Sequence, residues 1–182
     1  MTLKSLQINL VMLAALVAGV TESQSKGTAS KPTLVWITFK NCHDGDTCSG
    51  QTREGLKVKI RLEGIDAPEL ESSHRGKRRP GQAFAVQSRD QLKTWVVGRR
   101  LAVKITAVDT YNRYVGLIMN GDRSINERLV NEGFAFAYRG KKASYSLDWA
   151  LRAEAAAKKK QLGLWALKEP PLKPDQFRRE NL

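Results

Sequence analysis

Residues Lys57 to Leu62 read KVKIRL, an unbroken alternation that puts Val58, Ile60 and Leu62 on one side and Lys57, Lys59 and Arg61 on the other. A two-residue period belongs to a strand with one buried and one solvated face; a helix would scatter these side chains around its axis. The chain must therefore build a sheet whose outer face is basic at this point, with Arg61 turned away from the core. Leu34–Phe39 (LVWITF), Leu101–Val108 and Tyr114–Met119 also have strand composition. Turn-forming residues separate these runs at 44–47, 109–112 and 120–122.

Helical patterning predicts three helices. Gln82 to Val97 carries Phe84, Val86, Leu92, Trp95 and Val96 as its apolar surface. Ser124 to Asn131 is short and is ended by Gly133. Ser146 to Leu162 has the stripe Leu147, Ala150, Leu151 and Ala155 and is followed by Gly163. The count comes to about five strands and three helices, with most strands ahead of the last two helices. That order suggests an α+β domain, a small β-barrel with helices packed around it.

The flanks differ from this middle. Leu10–Val20 is an apolar run of 11 residues with Lys4 before it and small residues after it. It is too short to span a bilayer and has the form of an export signal. The expected organisation is a signal peptide at 1–23, a flexible leader at 24–32, a folded domain at 33–166 and a tail at 167–182 containing three prolines. Export would place the protein in the periplasm or outside the cell, with no stable membrane association once the signal is removed. Lys4 and Glu22 leave together, so the charge is unchanged. The two cysteines, Cys42 and Cys48, are an isolated close pair, and an oxidising compartment favours their disulfide.

Lys and Arg number 31 against 18 Asp and Glu, a net charge of +13. This excess argues for a polyanionic partner, nucleic acid first and an anionic membrane surface second. Three clusters could carry chemistry: Asp44-Gly45-Asp46-Thr47, Arg61 to Glu69 (RLEGIDAPE) and Asp109-Thr110-Tyr111-Asn112-Arg113. Asp44, Asp46, Asp66 and Glu69 are hard oxygen donors, and only two histidines are present. Calcium, magnesium or manganese suits such donors better than a soft metal. An EF-hand is excluded, because position 12 counted from Asp44 is Gly55. Arg61 and Arg113 could hold the equatorial oxygens of a phosphodiester under attack, with Glu69 accepting a proton from water. No G-x-S-x-G is present, and Gly76 to Gly81 lacks the lysine of a phosphate loop.

The three clusters, in this order and spacing, resemble the thermonuclease family typified by staphylococcal nuclease. Ile125-Asn126-Glu127 and Leu164-Trp165 extend the resemblance, which runs from about residue 33 to residue 166. It is closest in kind to the exported bacterial or plasmid-borne branch. The resemblance implies a five-stranded OB-fold barrel with three helices, and a monomer. It implies one Ca2+ ion and cleavage of DNA and RNA to 3′-phosphate ends, with single strands preferred. Position by position, Asp46, Asp66 and the Ala67 backbone carbonyl match the calcium ligands, and Asp44 matches a carboxylate acting through water. Glu69 matches the general base, and Arg61 and Arg113 match the phosphate-binding pair. Tyr111 falls beside the bound nucleotide. Arg75, Lys77, Arg78, Arg79, Tyr138, Arg139, Lys141, Lys142 and Tyr145 are candidates for tracking and stacking on a nucleic-acid strand. The alternative reading is a non-catalytic OB-fold module that binds single-stranded nucleic acid.

Overall fold

A computed structural model of the chain describes residues 33–74, 76–138 and 148–181. The sheet begins with β1 (Thr33–Cys42), β2 (Thr47–Gln51) and β3 (Lys57–Leu62). These pair antiparallel, and the Cys42–Cys48 disulfide joins the two residues that face each other at the β1–β2 end. Short strands β4 (Ile65–Asp66), β5 (Ser72–His74) and β6 (Lys77–Arg79) follow, and then helix α1 (Ala85–Val96). The chain returns through β7 (Arg100–Val108), β8 (Tyr114–Asn120) and β9 (Arg123–Ser124). Helix α2 (Ile125–Asn131), strand β10 (Phe136–Ala137), helix α3 (Asp148–Lys159), a 3-10 turn at Gly163–Ala166 and helix α4 (Pro174–Asn181) complete it.

The strand order is β3-β2-β1-β7-β8-β9. A parallel pairing of β3 with β8 joins Ile60 to Tyr114, Arg61 to Val115 and Leu62 to Gly116, and closes five strands into a barrel. The long connection through α1 and β7 makes that parallel closure possible. Ile37, Phe39, Ile60, Leu62, Val103 and Ile118 fill the interior, and Leu92, Val96, Leu129 and Val130 cover it from α1 and α2. The alternation of KVKIRL is therefore the alternation of a barrel wall.

The structure departs from the sequence expectation in several elements, among them the short strands β4, β5, β6, β9 and β10, which carry no alternating run. Strand β2 (TCSGQ) was not visible, because its pleat carries a threonine, a cysteine and a glycine rather than alternating apolar side chains. There are four helices among the described residues, not three: α4 lies in the stretch expected as a tail. Its sequence, PDQFRREN, has one large apolar residue, Phe177, and shows no stripe. It is held by Arg179 to Asp175 at 3.1 Å, by Gln176 to Glu180 at 2.9 Å and by contacts to the cleft given below.

Helix α2 starts where Ser124 accepts a hydrogen bond from the Glu127 backbone N–H at 3.3 Å, which satisfies one of the free donors of its first turn. Its Asn126 is fully buried and is bonded to three backbone groups of the barrel wall. The start expected for the last long helix, Ser146, lies outside the described residues. Among those residues no helix is long and apolar enough to cross a membrane.

Candidate active site

A cleft of about 710 Å³ opens between the ends of β3, β7 and β8. Its walls bring together Asp44, Asp46, Arg61, Asp66, Ala67, Glu69, Tyr111 and Arg113, residues drawn from all three sequence clusters, and also Tyr138.

The floor is a hydrogen-bonded turn. The Asp46 backbone N–H donates to Asp44 Oδ1 at 3.0 Å, and the Asp46 carbonyl accepts from the Leu62 N–H at 2.8 Å. The second bond pins the turn to the end of β3. Gly45 sits where the turn presses on its neighbours: a Cβ there would lie 2.1 Å from Ser88 Oγ and 2.6 Å from the Ala67 Cβ. Only glycine lets the two carboxylate-bearing segments approach this closely. Across the gap, the Ala67 N–H donates to Asp46 Oδ2 at 2.8 Å and orients that carboxylate.

Arg61 is on the outer side of β3, as the alternation requires, but it is not solvated: its side chain is 15% exposed. Its Nη1 lies 3.1 Å from Asp46 Oδ2 and donates to the Leu62 carbonyl at 3.0 Å, while Nη2 donates to Asp66 Oδ1 at 3.2 Å. A fixed guanidinium fork thus ties two carboxylates and a backbone carbonyl together. Arg113 is fixed separately. Its Nε donates to Asp109 Oδ2 at 2.7 Å and its backbone N–H to Asp109 Oδ1 at 2.9 Å, while Nη1 reaches Thr47 Oγ1 at 3.5 Å. Its guanidinium lies 5.3 Å from the ring centre of Tyr111, a side chain 80% exposed at the rim. Glu69 is held by its backbone, the N–H donating to Gln82 Oε1 at 2.9 Å.

Sequence reasoning missed one residue of this site. Arg178 of α4 enters the cleft. Its Nη2 donates to Asp66 Oδ2 at 2.9 Å, and its Nη1 donates to Asp66 Oδ1 at 3.3 Å and to Glu69 Oε1. An arginine in a proline-flanked, charge-rich end carries no local signal for this role. Asp109, which fixes Arg113, was visible as part of the third cluster but not as a positioning residue.

Other candidates are placed elsewhere. Lys77, Arg78 and Arg79 form the exposed strand β6 and do not line the cleft; Arg78 is paired with Glu71 at 2.8 Å. Arg75, Arg139, Lys141, Lys142 and Tyr145 lie outside the described residues.

The chemistry of the donors suits a hard divalent cation. Asp44, Asp46, Asp66 and Glu69 offer oxygen ligands around one cavity, and a guanidinium already sits against two of them as a positive counter-charge. Among the described residues no three acidic, histidine or cysteine side chains are gathered into a ready-made cage; Arg61 and Arg178 hold the Asp66 oxygens instead.

Burial, then the charge of Asp46, pushes Asp44 up to about 7 and Asp66 up to about 6. The folded, metal-free protein therefore binds more protons here than the unfolded chain does between pH 4 and 7. The contribution of these two groups to stability falls as pH rises through that window. Asp44→Asn keeps the acceptor for the Asp46 N–H and removes the charge. It should stabilise the chelator-treated protein by roughly 2–4 kcal/mol at pH 8 and change little at pH 4. Urea melts at the two pH values measure this; an equal effect at both would rule out the charge as its cause.

Residues 59–167 match the family described as staphylococcal nuclease homologue. The chain is 35% identical over 130 residues to a Komagataella phaffii protein named "Probable endonuclease LCL3", covering 67% of this chain and 54% of that protein. It is 33% identical over 138 residues to an "Uncharacterized endonuclease" of Haemophilus influenzae, covering 75% of this chain and 69% of that protein. The chain thus spans about half the length of the yeast relative and about two thirds of the bacterial one. With more than half of its residues matched and the clustered carboxylates and arginines in one cleft of a closed five-stranded barrel, this chain belongs to the staphylococcal nuclease homologue family.

Proposed function

We propose that the protein is a calcium-dependent nuclease that hydrolyses phosphodiester bonds of DNA and RNA and leaves 3′-phosphate ends. The observation that carries this reading is the Arg61 fork, which ties Asp46 and Asp66 together in a cleft whose walls also bear Glu69 and Arg113. Family membership and the names of the relatives point the same way.

Asp46, Asp66 and the Ala67 carbonyl would hold one Ca2+ ion, with Asp44 acting through water. When bound, the ion supplies positive charge to the phosphate and a site for water. The chain's own residues do the rest. Glu69 takes a proton from the attacking water as oxygen adds to phosphorus. Arg61 and Arg113 donate to the equatorial oxygens, where negative charge accumulates, and Asp109 keeps Arg113 from swinging out to solvent. The P–O5′ bond breaks, the O5′ takes a proton from solvent and leaves as a 5′-hydroxyl, and the phosphate stays on the 3′ side.

Tyr111, exposed at the rim beside Arg113, offers a stacking surface for an unpaired base, which supports a preference for single strands. The charge of +13 supports a polyanionic substrate. The Cys42–Cys48 disulfide supports work in an oxidising compartment, the periplasm or the exterior of a bacterium, and we read the active species as a monomer.

Incubation of end-labelled single-stranded DNA or RNA with the protein and calcium should give fragments that a polymerase extends only after phosphatase treatment. Excess chelator should abolish them. Retarded but uncut nucleic acid in both conditions would replace this reading with that of a binding module.

A further inference from the structure

Asp66 is almost fully buried, its side chain 4% exposed, and arginine N–H groups hold both of its oxygens. Arg61 and Arg178 share Oδ1, and among the described residues Arg178 alone holds Oδ2. Arg178 also holds Glu69 Oε1. The two arginines do not have the same standing. Arg61 is anchored in the barrel wall between β2 and β8 and is bonded to the Leu62 carbonyl. Arg178 comes from a helix of eight residues at the end of the chain, and its side chain is 34% exposed. Outside the cleft, the segment carrying α4 is fastened by the Gln82 Nε2 donation to the Leu172 carbonyl at 2.7 Å. The other face of the same amide accepts from the Glu69 backbone, so the attachment of the C-terminal segment and the placement of Glu69 pass through one side chain.

From this we infer that Arg178 is an intramolecular competitor of the divalent cation: it occupies the Asp66–Glu69 end of the cleft when no metal is bound, and it is exchanged for the ion, releasing α4 from the cleft. The inference rests on the calcium reading given above. An ion that takes an Asp66 oxygen must remove at least one Arg178 hydrogen bond, and it then stands beside a like charge in a poorly solvated cleft. The four carboxylates Asp44, Asp46, Asp66 and Glu69 face two guanidinium groups, Arg61 and Arg178, while Arg113 is matched by Asp109. Replacing Arg178 by a dication lowers the negative excess, so the exchange is favourable once the ion is present. Without the ion, losing Arg178 would leave the buried Asp66 with Arg61 alone and its Oδ2 without the Arg178 donor, which is costly. The same guanidinium thus stabilises the metal-free protein and weakens metal binding. It also holds one oxygen of Glu69, Oε1, so that oxygen is engaged by a guanidinium until the ion arrives.

Calorimetric titration of the full chain with CaCl2 in the absence of nucleic acid tests this. Arg178→Gln should bind calcium about tenfold more tightly than the unaltered chain. Arg179→Gln, which breaks only the pair with Asp175 on the same helix, should bind as the unaltered chain does. In chelator Arg178→Gln should melt below the unaltered chain, and saturating calcium should close that gap; a merely structural role would keep the gap open. In the unaltered chain, calcium should speed amide hydrogen exchange over residues 174–181, a readout that needs no variant. Equal calcium affinities with unchanged exchange would overturn the competition and leave the calcium reading intact. Absence of calcium binding by either protein would overturn both.

Discussion

Arg61→Ala should lower kcat by about a thousandfold while leaving the affinity for nucleic acid nearly unchanged. The magnitude follows from how Arg61 is held. It lies one residue from the end of β3, paired with Thr47 on one side and Val115 on the other, so the barrel wall itself fixes its backbone. Asp46, Asp66 and the Leu62 carbonyl then fix its guanidinium. A donor held ready in a site sheltered from water needs no reorganisation as charge builds on the phosphate, and losing one such donor costs about 3–4 kcal/mol of barrier lowering. Binding, by contrast, is spread over many phosphate contacts, each contributing a small share through counterion release. The alanine variant also leaves Asp46 and Asp66 short of a partner and should melt lower, so Arg61→Lys is the companion. Lysine keeps the charge but cannot form the fork, and it should restore most of the melting temperature while kcat stays at least a hundredfold down. Single-turnover cleavage beside fluorescence anisotropy separates the two effects. Turnover within tenfold of normal in the lysine variant would remove Arg61 from the transition state.

What the sequence revealed of this site, and what it hid, follows from how far each interaction reaches. The period of KVKIRL is a local property. It placed Ile60 and Leu62 in the core and Arg61 on the other side of the wall. It did not reveal that Arg61 is itself enclosed on this side, because the groups against it, Asp46 and Asp66, come from the turn ahead of β2 and from β4. The motifs at 44–47, 61–69 and 109–113 were legible because each cluster is a turn or strand end whose residues act together, and all three meet in the cleft. Strand β2 was not legible, since Gly50 and Cys48 earn their places by close packing and by the disulfide rather than by a pattern. The basic stretch at 77–79 shows the limit of charge density as a signal: it forms a short exposed hairpin outside the cleft, with Arg78 paired to Glu71, and neither pattern nor period in the sequence announces that hairpin. Arg178 was the hardest to see, because its partners lie more than a hundred residues away and its helix has no apolar stripe.

Asn126→Leu should destabilise the protein by about 3–5 kcal/mol without altering the chemistry of the molecules that remain folded. Asn126 is 0% exposed and the shape of leucine is close to its own, so packing is nearly conserved and the loss is one of hydrogen bonds. Its Oδ1 accepts from the Ile118 N–H at 3.0 Å, and its Nδ2 donates to the Glu63 carbonyl at 2.9 Å and to the Gly116 carbonyl at 3.0 Å. These three groups belong to β8 and to the turn after β3, the place where the barrel closes by parallel pairing and where the chain departs toward Asp66. Gly116 retains a second donor, the Glu63 N–H at 2.9 Å. The Ile118 N–H and the Glu63 carbonyl lose the amide that paired them, and a buried orphan costs about 1–3 kcal/mol. For a domain of this size the sum should lower Tm by about 10–15 °C. Asn126→Asp retains the acceptor for Ile118 but opposes two carbonyls with a carboxylate, so it too should be destabilising, and less so at acid pH, where a protonated carboxyl can donate. Thermal melts of both variants, with cleavage assayed well below their transitions, give the comparison. A Tm drop under about 3 °C for Asn126→Leu would mean that the barrel closes without this bridge. A large drop with kcat preserved at low temperature would mean that helix α2 holds the wall in place while Arg61 at the end of β3, with Asp46 ahead of β2 and Asp66 in β4, carries the reaction.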